Sequence, residues 1–178
     1  SIAKVDVGGA SIKLGEDGSY TLGLGATDMG TGCDTILAQM AADVLETDFD
    51  NIVVFGVDTD ISPYDSGSYA SATTYVTGMA VADACEQLRE KIKELGAAML
   101  ETEAEQVEFD GKSVYKLDGQ GEVSLESIAV KGTSGNNTNL QASATRSSQI
   151  SPPPFMAGIV EIEIDKETGT LEILDYAA

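Results

Sequence analysis

The chain has 178 residues, 42% hydrophobic and 22% charged, which is enough apolar material for one good core or two small ones and unlike a disordered tail. Thirty acids against ten bases leave a formal charge of -20 with no basic stripe to offset it, which excludes nucleic acid and anionic membrane surfaces as partners. Histidine is absent, so Ser-His-Asp and Cys-His catalysis, histidine metal sites and histidine pH switches are excluded within this chain.

In chain order, "SIAKVDVGGASIKLGEDGSYTLGLG" alternates apolar and polar residues around "GEDGS", where Gly and Asp supply turn conformations, and predicts two antiparallel strands. Ile36, Leu37, Met40, Ala41, Val44 and Leu45 recur at helical spacing and predict a helix over 34–46. "NIVVFGVD" follows as a buried strand over 52–58, and "TDISPYDSGSYAS" as a loop. Val76, Ala80, Ala84, Leu88, Ile92 and Leu95 mark a long helix over 71–95 that stops before Gly96. "QVEFDGKSVYKL" reads as a hairpin, "SLESIAV" as a short helix capped by Ser124, and "IVEIEIDKETGTLEILDY" as a hairpin turning at Glu167 to Gly169. Between the last two, residues 132–151 offer almost nothing that could pack and read as a long polar loop, with Pro152 to Pro154 stiff and extended. The element order predicts an α+β fold of two small α/β subdomains, 1–96 and 97–178, with mixed sheets packed by a long helix and a weak joint near 97–105.

Two segments share one design, a strand end, a loop of small residues and an amphipathic helix: Gly30-Thr31-Gly32, and "SGSYASATT" at 66–74. The first amides of a helix lack intrahelical partners, and small side chains let a ligand approach them, so both loops are candidate anion sites, each favourable by about 0.3–1 kcal/mol near a surface. The alternative is that small residues only let elements cross closely. Neither loop fits a P-loop, for want of a lysine near Gly30, nor a dinucleotide fingerprint, because Asp28 stands where Gly23-x-Gly25 needs a third glycine. Asp58, Asp60 and Asp65 lack the remaining ligands of an EF-hand. Cys33 at a helix start could be a reactive thiol, but no base accompanies it, and a small buried cysteine is the simpler reading. The acids of "ETEAEQVE" read as a solvated face. Cys33 and Cys85, without CxxC spacing or a signal peptide, read as reduced thiols of a cytoplasmic protein. No apolar run reaches the length of a membrane span, and the chain, opening on Ser1 and closing on the strand-like "LEILDYAA", reads as a piece of something longer.

Four stretches, "GATDMGTGCDTILAQMAADVL", "VFGVDTDISPYDSGSYASATTYVTGMAVADAC", "SPPPFMAGIVEIEID" and "ETGTLEILDYAA", resemble in their order the molybdenum-binding part of the xanthine dehydrogenase and aldehyde oxidoreductase hydroxylases, closest to the bacterial nicotinate dehydrogenase-like branch. The resemblance implies a molybdenum held by the dithiolene of molybdopterin, commonly its cytosine dinucleotide form, and not by side chains. It implies that Gly30, Thr31 and Gly32 lie against the pterin, and that Tyr69, Ala70, Ser71 and Thr73 line the metal's surroundings and the phosphate side. Ala70 is then nearest the metal, its small side chain leaving room for the metal's other ligands. Many family members have Gly-Gln-Gly where this chain has Gly30-Thr31-Gly32, so a side-chain amide is replaced by a hydroxyl. The family's catalytic glutamate falls beyond Ala178, so no catalytic residue is assigned here. Substrate-positioning domains, iron–sulfur clusters and FAD are expected on other modules, with a small-molecule heterocycle or aldehyde as substrate. The rival reading is a non-catalytic acidic binding or assembly domain that keeps the scaffold without the cofactor.

Overall fold

β1 (Val7–Leu14) and β2 (Tyr20–Leu24) pair antiparallel. The turn between them is closed by Asp17, whose Oδ1 accepts from the amide of Ser19 at 3.0 Å and its hydroxyl at 2.7 Å. The computed structural model describes residues 4–134, 140–150, 153 and 155–178. Pro152 and Pro154, expected to be extended, lie outside the described residues, as do 135–139 and 151 of the expected polar loop.

Helix α1 (Cys33–Leu45) ends where Glu46 turns left-handed, φ 53°, and its amide reaches back to the carbonyls of Ala42 and Asp43. Cys33, Leu37, Ala38, Ala41, Ala42 and Leu45 are its buried residues. β3 (Ile52–Phe55) returns parallel to β2. The expectation of a buried strand over 52–58 is corrected here: β3 is a four-residue edge strand in which Ile52 is buried while Val53 and Phe55 are exposed. With only β2 as a neighbour, one side of the strand is left to solvent.

The long helix is also displaced from its expected span. A π turn, Thr73–Thr77, leads into α2 (Gly78–Met99), and the helix runs through Gly96 instead of stopping there. A Cβ on Gly96 would stand 2.6 Å from Cβ of Val114, so this glycine serves close packing and not helix termination. The expected joint at 97–105 therefore begins inside α2.

A second sheet follows, formed by β4 (Val107–Phe109), β5 (Ser113–Lys116) and β6 (Glu122–Ser124), all antiparallel. α3 (Leu125–Ser134) starts at the predicted cap, with the amide of Ser127 donating to Ser124 Oγ at 3.3 Å. The expected polar loop over 132–151 is overturned at both ends: 132–134 finish α3, and β7 (Gln141–Ser147) lies antiparallel along β1 from Val7 to Lys13. Its alternation is carried by Ala142 and Ala144, small because α2 passes directly over β7, and a count of bulky residues misses it. The first sheet thus has the order β3-β2-β1-β7. β8 (Ile159–Ile164) and β9 (Leu171–Ala177) form the predicted hairpin, with Asp165 accepting the Gly169 amide on its carbonyl at 2.7 Å.

Buried residues of both larger sheets and the three helices join one apolar cluster around Ala80, Ala84, Leu88 and Ile92 of α2. Arg89 braces it laterally. Its guanidinium donates to the carbonyls of Val44 at 3.0 Å and Phe109 at 2.9 Å, pairs with Glu46 at 2.6 Å, and lies 5.7 Å from the Phe109 ring centre. Both acids it pairs with are partly exposed, which reduces the value of the ion pairs, but the two carbonyls lose a charged donor when it is removed. Arg89→Ala is expected to cost about 2–3 kcal/mol in urea unfolding, and a cost under about 0.5 kcal/mol, the range of ordinary surface substitutions, would contradict the brace.

Candidate cofactor cleft

The two small-residue loops meet across a cleft of 720 Å³ between the start of α1 and residues 68–75. Thr31, Tyr69, Ala70, Ser71 and Thr73 all line it, although the two groups stand some forty residues apart in the chain. Gly30 and Gly32 flank Thr31 with φ of 98° and 75°, and a Cβ on either would meet nothing within 4 Å. Sequence reasoning missed the apolar wall: Met29, Cys33, Ile36 and Met40 from the first segment, and Phe155 from the third. Ile36 and Met40 repeat at i, i+4 beside the buried stripe of α1 and line the cleft, Met40 also packing against the core. Although the chain carries a charge of -20, none of the described residues lining the cleft is charged.

The second loop is held against the first sheet by its own polar residues. The Ser66 amide donates to the Val7 carbonyl at 2.9 Å, and Ser66 Oγ accepts the Val7 amide at 3.0 Å. Asp65 accepts the Gly67 amide at 2.8 Å and the Thr77 hydroxyl at 2.8 Å, tying the loop to the π turn. Gly25 permits the approach, since a Cβ there would lie 2.4 Å from the carbonyl oxygen of Pro63. Ala70 and Ser71 both adopt left-handed φ, 50° and 58°. Such residues cost about 1–2 kcal/mol each and are retained where the surroundings impose them, commonly beside a ligand.

The first loop corrects an expectation. Its amides are not open to an outside anion, because Asp28 Oδ1 accepts from Gly30, Thr31 and Gly32 at 2.8, 3.0 and 3.2 Å, and Oδ2 from Asp34 at 3.4 Å. These bonds, led by that of Gly30, hold the Asp28 carboxyl below its usual range. Ligand atoms of Asp28, Cys33 and Asp34 lie within 4.8 Å of one another, but the Asp28 carboxylate is spent on the loop. Of the acids weighed for calcium, Asp58 accepts the Asp60 amide at 2.9 Å and Asp65 is engaged as described, so they close turns.

Neither cysteine is activated. Burial, then the charges of Asp28 and Asp34, push the Cys33 thiol up; burial and the charge of Glu86 push Cys85 to about 12. Because the folded state holds the Cys85 proton more tightly than the unfolded chain, its contribution to stability is complete below pH 9.0 and lost as pH rises toward about 12. Iodoacetamide at pH 8 is expected to label neither thiol in the folded protein and both in urea; rapid labelling of folded Cys33 would show a thiolate these surroundings do not favour.

The cleft is thus uncharged along its described lining and is walled by two small-residue loops at the beginnings of two helices. The chain belongs to the molybdopterin cofactor-binding domain family, whose model matches residues 2–178. It is 35% identical over 180 residues to "Probable hypoxanthine oxidase XdhD" of Escherichia coli K12, covering 99% of this chain and 18% of that protein. It is 30% identical over 166 residues to the "Xanthine dehydrogenase molybdenum-binding subunit" of Escherichia coli O157:H7, covering 90% of this chain and 22% of the relative. Among solved structures, reconstituted CO dehydrogenase from Oligotropha carboxidovorans superposes with a TM-score of 0.73 at 25% identity, over 95% of this chain and 22% of that one. The chain spans about a fifth of the length of these relatives. Among the described residues, no helix is long and apolar enough to cross a membrane.

Proposed function

We propose that this domain supplies one wall of the molybdopterin site in a cytoplasmic molybdenum hydroxylase that hydroxylates an N-heterocycle or an aldehyde with oxygen from water. The observation that carries the reading is the uncharged 720 Å³ cleft joining the two loops. Its features fit the cofactor: glycines with open space beside them, an apolar wall from Met29, Ile36 and Met40, and the hydroxyl-bearing residues Ser68, Ser71, Thr73 and Thr74 in the lining contributed by the second loop. In this reading Gly30, Thr31 and Gly32 hold the pterin, while Tyr69, Ala70, Ser71 and Thr73 line the metal's surroundings and the phosphates of a cytosine dinucleotide form. Ala70, which with Ala72 carries the smallest side chain on that rim, leaves space at the metal. When bound, the molybdenum cofactor supplies the two-electron oxidation. The residues of this chain bind it, orient it and exclude water, and no carboxylate among the described lining residues is placed to take a proton. In this reading the base and the substrate pocket come from other parts of the enzyme, and the isolated polypeptide is inactive.

The partners proposed are the remaining domains of the molybdenum subunit and modules carrying iron–sulfur clusters and FAD. Hairpin β8–β9 supports a docking role. Val160, Ile162 and Ile164 pair with Tyr176, Ile173 and Leu171, forming an exposed apolar face. On the other face Glu161 opposes Asp175 and Glu163 opposes Glu172. Like charges directly opposite destabilise a hairpin, and a lone two-stranded hairpin is marginal in water, so an apolar partner surface is needed to hold it.

The test is the molybdenum content of the complex captured from its own host through a tag on this chain. The expectation is close to one molybdenum per chain, and at least tenfold less in Ala70→Val, whose branched side chain enters the cleft and does not tolerate φ of 50°. An assembled complex without molybdenum would overturn the reading in favour of a scaffold that only binds partners.

A further inference from the structure

The cleft has an asymmetry that its lining alone does not reveal. On one side, the amides of Gly30, Thr31, Gly32 and Asp34 are taken by a carboxylate of the same chain; on the other, the hydroxyl-bearing residues Ser68, Ser71, Thr73 and Thr74 line the cavity. The clasp on the first side is local and complete: the amides of three consecutive residues, 30, 31 and 32, converge on one oxygen of Asp28, and the second oxygen takes the amide of Asp34. Two of those residues are glycines at φ of 98° and 75°, conformations that an unclasped Gly-Thr-Gly segment would leave freely. A Cβ at Gly30 or Gly32 would meet nothing within 4 Å among the described residues, so the space beside each glycine is open. The hydrogen bonds to the Asp28 carboxylate hold the segment in this shape.

We infer that Asp28 is a positioning residue for the cofactor: it fixes the Gly30–Gly32 loop in the binding conformation, and by filling the amide nest it turns the anionic end of the ligand toward residues 68–74. The inference rests on the reading of the cleft as a molybdopterin site. Two consequences follow. A loop that is already ordered loses little freedom on binding, so removing the clasp weakens retention even though no contact with the cofactor is deleted. A loop whose amides already serve a carboxylate also offers a phosphate nothing, which leaves one orientation open. The relevant property is an oxygen acceptor at the side-chain tip, which asparagine keeps and alanine lacks.

The experiment uses the tagged complex from its host as wild type, Asp28→Ala and Asp28→Asn, with three readouts: molybdenum per chain, hydrogen exchange of the peptide spanning residues 25–36, and the melting temperature. In Asp28→Ala the amides of 30–32 are expected to exchange at least tenfold faster and molybdenum to fall at least tenfold, with the melting temperature little changed. In Asp28→Asn, molybdenum stays within about twofold of wild type and the loop remains protected. Full molybdenum in Asp28→Ala would overturn the inference, and so would Asp28→Asn emptied as completely as alanine, because an acceptor would then not be what matters. If Asp28→Ala fails to assemble, the asparagine variant decides alone: retention supports the positioning role and a tenfold loss contradicts it. Wild-type complex without molybdenum would instead remove the cofactor reading, and the role in retention with it.

Discussion

The buried side of α2 is the surface on which the rest of the molecule is assembled. Ala80, Ala84, Leu88 and Ile92 present it to β1 and β7 on one side and to the second sheet on the other, with Gly96 thinned to admit Val114. Because the helix axis is fixed by two sheets at once, its N-terminal extension, the π turn at 73–77, is fixed too, and with it the loop that forms one rim of the cleft. The other rim starts α1, which packs against the same helix. Two loops remote in sequence therefore face each other as a consequence of how one helix is buried, and Arg89 locks the far end of that arrangement by joining α1, α2 and β4.

Charge is handled with the same economy. Thirty acids would make a poor cradle for a cofactor bearing phosphates if they faced it, yet the described lining is neutral. Many of the aspartates instead close turns with their side chains: Asp17, Asp28, Asp58, Asp65, Asp110, Asp118 and Asp165 each accept a nearby backbone amide. Asp17, bonded first by the Ser19 hydroxyl, and Asp165, bonded first by that of Thr168, are held below 3.8 like Asp28. The native contacts favour the ionised form, so the stability they add is present above pH 3.8 and lost as acid protonates them. Negative charge is thus used locally as a set of caps, and the cleft stays free of it.

The sequence made legible whatever is written in apolar periodicity or turn chemistry. α1 starts within one residue of its expected position because Asp34 to Leu45 carry a continuous stripe, and Ser124 and the turn at Glu167 to Gly169 mark real boundaries. The misreadings of β7 and Gly96 share one cause, the use of small residues for close packing. β7 hides behind alanine, serine and threonine because α2 leaves no space for larger side chains, and Gly96 reads as a stop signal when it is a contact point. At the site, the loops were visible as glycine and small-residue runs, but the Asp28 clasp was not, because its significance depends on a side chain folding over the amides of residues 30, 31, 32 and 34. The apolar wall was hidden for a similar reason: Ile36 and Met40 belong to a helix whose buried stripe already accounted for hydrophobic residues at that spacing.

The central claim is that the two loops together hold one cofactor, and an anomalous-difference map at the molybdenum edge, from crystals of the complex purified from its host, tests it most directly. The account predicts a metal peak beside Ala70 and continuous pterin density between Gly30–Gly32 and residues 69–73. A metal peak remote from this cleft, or a cleft filled by another polypeptide segment, would contradict it.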